Sequence, residues 1–482
     1  VSEVVLDGSS LSVSDVVAIA GGAKVRLEAA ARDRAAAAWR AAEAATRHGA
    51  VYGGTTDVGK AKGRNLTAGE RADGATLLRQ HAFAVGDPLP PDVCRAALAV
   101  RLNQLAAGGG GCRPEVLDAL GQLLSGERLP VVRGGASLGT GDLAQLAAVG
   151  LALTERATLD RHDALVLMSS SAFTFAAAAL AWHRLDDWIV ACTAVGAASV
   201  RALDADLGFL DPVAPLQAGA EVATAMRGLI AGTTWPARSV QAAYGVRCLP
   251  QVLGALDEAA GHLLAVVTEE MNTAAENPLI DTASTRALHH GGFHQVRLAL
   301  ATDWSRAALH QAASLSAARL AELLDPDASG WPAGHGQLTG SHRLLGLEYL
   351  THAALAHLRQ AAHPVTLGAA VLAGGAEPHA PFAPEGVARL TVAVDAAGDV
   401  LACELAAAAA AIREKGIAPP AALSPLLPMA PGATEPVRDE VQAARERLAA
   451  ARAMVREGRR RTPGPGAPTD RGRRSSPPAP PG

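Results

Sequence analysis

Aromatic side chains are scarce in this chain: Phe, Tyr and Trp together make up 3% of 482 residues. A β-sandwich or barrel, whose strands draw on Val, Ile, Tyr and Phe, is poorly served by that supply. Abundant alanine instead suits helices that pack closely through small side chains. Cysteine is sparse as well. Cys94, Cys112, Cys192, Cys248 and Cys403 are odd in number, widely scattered and free of any CxxC pair. Neither a disulfide framework nor a metal site is indicated. No uncharged apolar run approaches about 18 residues, so no membrane partner is expected. No signal peptide is read at the start, and the expected location is cytoplasmic. One-sided charge is also missing: the formal net charge is −4, which gives no electrostatic reason to expect nucleic acid as a partner.

What remains is a chain that is 49% hydrophobic and 19% charged, enough to bury a large core. Residues 14–48 read as a helical lead-in broken at Gly21-Gly22, with Ser14 as candidate N-cap. Residues 91–107 and 114–125 are helical in pattern, separated by the glycines of 108–111. Leu256, Ala259, Ala260, Leu263, Leu264, Val267 and Met271 fall on one face of a long helix. Residues 303–324 and 345–362 show similar patterns, and alternating strand patterns are nearly absent. An all-α bundle of long antiparallel helices is the expected fold class. The expected divisions are an N-terminal region (1–200), a central bundle with C-terminal helices (201–457), and a disordered tail (458–482) of Pro, Gly and Arg.

Specific segments carry more information. Asn272-Thr273-Ala274-Ala275-Glu276-Asn277-Pro278-Leu279 resembles N-S-x-x-D-N-P-L. The run from Val240 to Val252, with Gln241, Tyr244, Arg247-Cys248 and Pro250-Gln251, resembles V-Q-D-x-Y-S-x-R-C-x-P-Q-V. Val51-Tyr52-Gly53 stands where the related pattern is V-Y-G-x-N-T-G-F-G, and Gly139-Thr140-Gly141-Asp142-Leu143-Ala144 where it is A-S-G-D-L-A. Leu6-Asp7-Gly8 and Phe293-His294 before Asp303 follow in the same order. Together these segments resemble the histidine/phenylalanine ammonia-lyase superfamily, from Leu6 to about Ile412.

That resemblance implies a mainly helical homotetramer acting on a small molecule with no external cofactor. The family builds its own electrophile, a methylidene-imidazolone (MIO), by cyclising an internal Ala-Ser-Gly. It also implies Tyr52, Tyr244, Glu377 and His81 as catalytic residues, and Arg247, Asn103, Ser169, Phe293 and Asn277 at the substrate. Arg247 fits a carboxylate clamp because guanidinium is a planar two-donor fork. Three chains are implied at each site: Tyr52 and His81 from one, Tyr244 and Arg247 from a second, Phe293 and Glu377 from a third.

The chain departs from the pattern where the electrophile is made. The triplet is Gly139-Thr140-Gly141, and dehydrated threonine would carry an extra methyl on the electrophilic carbon. Ser169 replaces the asparagine that supports the group, Ala242 an aspartate, and Thr55-Thr56-Asp57-Val58 the N-T-G-F segment. These changes argue against a standard MIO. The expected activity is therefore a carbon–heteroatom elimination, conjugate addition or cyclisation driven by tyrosine acid/base chemistry. The alternatives are an ammonia-lyase or aminomutase using a group built from Thr140, and a catalytically silent scaffold.

Overall fold

The structure is a computed structural model that describes residues 3–126, 128–331, 344–427 and 437–449, with Ala451 and Val455. The Pro/Gly/Arg tail expected over 458–482 lies outside the described residues.

Seven helices frame the site: α1 (Pro91–Ala106), α2 (Leu143–Leu153), α3 (Ala172–Ala202), α4 (Leu249–Met271), α5 (Val296–Leu324), α6 (Gly346–Ala361) and α7 (Ala383–Glu414). The protein is mainly α. Helix α7 packs along α3, α5 and α6, and α4 lies against α3 and α5. Small side chains permit that closeness: Ala406 to Ala411 are all buried on α7. Larger residues then fill the remaining space, each fully buried Leu or Val stabilising by roughly 1.5–3 kcal/mol. On α4 the expected face is inside at Leu256, Ala259, Ala260, Leu263, Val267 and Met271, while Leu264 is half-buried and Val266 joins the core.

Helix α3 runs through residue 200, and one apolar cluster takes in residues from Val4 to Val455. The expected boundary at 200/201 therefore falls inside a continuous helix and a shared core. Residues 161–202 contain a window apolar enough, by composition, to cross a membrane, yet 83% of it is buried in the bundle.

The lead-in differs from expectation in two ways. Its first helix, Val13–Ala20, is capped by Ser12 and not Ser14: Ser12 Oγ accepts from Asp15 N–H at 3.1 Å, and Asp15 carboxylate accepts from Ser12 N–H at 3.0 Å. After Gly21-Gly22 the chain enters a strand before the second helix, Ala29–His48. This strand, β2 (Lys24–Leu27), pairs in parallel with β1 (Glu3–Leu6). A short hairpin of β3 (Leu279–Asp281) and β4 (Arg286–Leu288) follows the cis Asn277–Pro278 bond and delivers His289, His290 and Phe293 to the site.

Candidate active site

Residues 137–142 form a loop at which the N-termini of four helices converge. Asp142 precedes α2, Ser171 precedes α3, Gln295 precedes α5 and Phe382 precedes α7. The loop's carbonyls take donors from two of them: Gly139 O accepts from Gln295 N–H at 3.0 Å, and Leu138 O from Phe382 N–H at 2.8 Å. Asp142 N–H donates to Ser170 O at 2.7 Å, and its buried carboxylate accepts from Thr174 N–H and Thr174 Oγ1, each at 2.8 Å. Burial pushes the Asp142 carboxyl up, against these bonds. Several positive helix ends thus face one loop. Gly139 and Gly141 hold φ of +94° and +124°, conformations that favour glycine.

Thr140 Oγ1 donates to Glu377 Oε2 at 3.3 Å. Glu377 lies between α6 and α7, fixed by its backbone pairing with Leu372. Its charge is felt at Tyr52, whose phenol is shifted above its ordinary value. Burial is the main cause, Glu377 and Asp57 add to it, and a hydrogen bond from Gly59 N–H to the phenol oxygen at 2.8 Å opposes it. Tyr52 N–H donates to His289 Nε2 at 3.3 Å, and the two rings meet edge-on.

Asp57 anchors the Tyr52 loop. Its carboxylate takes a close contact from Arg161 and two bonds from Arg64, at 2.7 and 3.1 Å. Burial works against the Asp57 charge, but the Arg64 and Arg161 guanidiniums hold its carboxyl below the usual range.

A second group gathers around Ser169. Its Oγ accepts from Asn277 N–H at 2.9 Å, Asn277 Oδ1 accepts from His290 N–H at 3.2 Å, and Phe293 lies beside Ser169 to Ser171. The 166–169 segment is held from below by Arg101, which donates to Leu167 O and Val166 O and pairs with Glu276 at 2.9 Å. Arg101 and Glu276 are both 1% exposed. Next to Phe293, His294 hydrogen-bonds His379 at 3.0 Å with the rings stacked, and burial together with His379 pushes His294 down.

Tyr244 and Arg247 sit elsewhere, on a cavity of about 780 Å³ that Arg238, Gln241, Glu322 and Asp327 also line. Tyr244 is 66% exposed, with the Arg247 guanidinium 5.2 Å over its ring.

The allotment of Glu377 to a subunit other than that of Tyr52 is corrected. One chain brings Glu377 onto Thr140 and within electrostatic range of Tyr52, because the α6–α7 connection folds over the loop. Asn103 is also corrected. It is fully buried and spends its amide on Gly8 N–H, Met271 O and Asn272 Oδ1, pinning the N-terminus to the end of α4. His81 bonds back to Leu77 O at 2.9 Å within its own helix. Sequence reasoning missed His289, Asp57, Arg101 and Glu276. A paired His289-His290 ahead of Gly291-Gly292 was the available signal for the first; the others needed partners distant in sequence.

Comparison with known proteins agrees with this architecture. The family model for aromatic amino acid lyase matches residues 11–427. The chain is 33% identical over 454 residues to a probable histidine ammonia-lyase of Halobacterium salinarum, covering 83% of this chain and 86% of that protein. It is 30% identical over 411 residues to histidine ammonia-lyase of Geobacillus kaustophilus, covering 76% and 81%. Among solved structures, ergothionase from Treponema denticola superimposes with a TM-score of 0.86 at 21% identity, covering 94% of this chain and 99% of that one. The chain belongs to the aromatic amino acid lyase family and is a lyase.

Proposed function

We propose that this lyase eliminates, adds or cyclises at a carbon–heteroatom bond of a small carboxylate or amino-acid-derived substrate, without a standard MIO. The observation that carries the reading is the hydrogen bond from Thr140 to Glu377 beside Tyr52. The residues at the loop differ from those that build the family's group, which supports this reading. A Cβ on Gly139 would stand 2.7 Å from Pro381 Cγ, so the alanine of the usual triplet has no room. Loss of water from Thr140 would leave a methyl on the carbon that must accept electrons.

The chain's own residues suit a substrate that brings its activation with it. Tyr52, held above its ordinary pKa, is a proton donor at neutral pH and a base only when a substrate cation or acidified C–H stands close. A plain amino-acid β-proton is too weakly acidic for it; a proton next to a carbonyl, or the β-carbon of a conjugated acid, is within reach. Arg247 takes the carboxylate, and Tyr244 moves the second proton.

Because Tyr244 and Arg247 line a separate cavity, the proposal includes a homotetramer in which a neighbouring subunit supplies them. An exposed apolar stripe on α5, formed by Val296, Leu300 and Trp304 at i, i+4 and i+8, supports such packing. Intact-mass measurement tests the reading. The expected mass equals the sequence value apart from end processing, with little ammonia released from histidine, phenylalanine or tyrosine. A mass lower by two waters, mapped to residues 139–141, favours a Thr140-derived electrophile and sinks the proposal.

A further inference from the structure

Arg319 on α5 and Glu404 on α7 are both 0% exposed and form a fully bonded ion pair in the bundle core. Glu404 Oε1 accepts from Arg319 Nε and Ser199 Oγ, each at 2.6 Å, and Oε2 accepts from Arg319 Nη2 at 2.8 Å and from Ser316 Oγ. Stripping two charges of water is expensive, and an apolar pair of equal volume commonly serves packing as well or better. What an apolar pair lacks is a donor. Arg319 Nη1 donates to Gly245 O at 3.4 Å.

Gly245 lies inside the four-residue helix Tyr244–Arg247, which breaks at Cys248 before α4 begins. Carbonyls at such a break look outside the helix for donors. The turn is seated directly on α5: a Cβ on Gly245 would stand 3.3 Å from both Arg319 N and Arg319 Cγ. Tyr244 precedes Gly245 and Arg247 stands two residues after it, and both line the 780 Å³ cavity.

We propose that Arg319, held by Glu404, is a positioning residue that fixes the Tyr244–Arg247 turn and so aims the carboxylate clamp. This rests on the reading of Tyr244 and Arg247 as substrate-facing. Lysine at 319 could keep its charge against Glu404, but a single ammonium cannot span two carboxylate oxygens and the Gly245 carbonyl as the fork does.

The chain has only three tyrosines, so fluorotyrosine labelling gives three ¹⁹F resonances, and Tyr244→Phe assigns one of them. Two variants are compared with the wild type: Arg319→Lys, and Arg319→Met with Glu404→Leu, which keeps the core filled and removes the donor. In a folded variant the Tyr244 resonance is expected to shift or broaden while those of Tyr52 and Tyr349 stay. Affinity for trans-urocanate and trans-cinnamate, used as probe carboxylates, is expected to fall roughly tenfold to a hundredfold, as for a clamp displaced by about 1 Å. An unmoved Tyr244 resonance overturns the proposal, as does movement of all three together or loss of folding in both variants, since each marks a purely structural role. If Tyr244 alone moves but the wild type ignores both carboxylates, the positioning role stands and the substrate-facing reading falls.

Discussion

Restoring the family's triplet should damage this protein before it restores any chemistry. Gly139 holds φ +94°, and a Cβ there would meet Pro381 Cγ at 2.7 Å and Ala383 N at 3.1 Å. An L-residue in that conformation costs about 1–3 kcal/mol. Forcing a methyl against a proline ring and a helix N-terminus adds about 1–3 kcal/mol, for a total of about 2–6 kcal/mol. Unfolding entropy of roughly 2.1 cal/mol/K per residue amounts to about 1 kcal/mol/K for a chain of this length, so Gly139→Ala should lower Tm by about 2–6 °C. Gly141→Ala is the control. Its φ is +124°, but the nearest atom to its Cβ is a Leu143 methyl at 3.4 Å, so it carries strain without collision and should lose less. Gly139→Ala with Thr140→Ser should show the full loss by calorimetry and an unchanged mass. A double variant that melts with the wild type, or whose mass falls by two waters, refutes the reasoning.

Glu377→Gln removes a negative charge that disfavours the Tyr52 phenolate, so the Tyr52 pKa should fall toward its ordinary value; ultraviolet titration, with Tyr52→Phe as the difference control, checks the sign, and an upward shift contradicts it. Tyr52→Phe should abolish turnover and Arg247→Ala should weaken carboxylate binding, both with the fold intact by circular dichroism. Co-expression of the two should recover part of the activity through mixed tetramers, and a monomer by light scattering removes the shared site. Glu276→Ala leaves the Arg101 charge buried without its partner and should cost about 3–5 kcal/mol in chemical denaturation. Replacing both by Met and Leu should recover most of that loss, and a single variant as stable as the wild type would show the pair to be idle.

The helices were legible because their signals are local: apolar residues recur at helical spacing along α4 and α5, and the runs around Tyr244 and Asn277 keep their order. The strand Lys24–Leu27 is not legible because four residues are too few to show alternation, and the helix is capped at Ser12 and not Ser14 because Ser12 and Asp15 bond each other reciprocally. The site was harder for a physical reason. Thr140 and Glu377 are 237 residues apart, and Tyr52 and His289 are separated by the same distance, so packing and not local pattern brings them together. Read from sequence, Asn103 looked like a ligand because a buried amide and a substrate-binding amide are the same residue type; only the orphan Gly8 N–H and Met271 O reveal who claims it. The altered positions also read differently once placed. From sequence, Asp57 and Ser169 were only departures from a pattern, of the kind that decay leaves behind. In the structure Asp57 is held by two arginines and Ser169 receives the Asn277 amide. Decay strands buried polar groups at a cost of about 1–3 kcal/mol each. Asp57 and Ser169 have their hydrogen bonds made, which supports the proposed changed site over a silent scaffold.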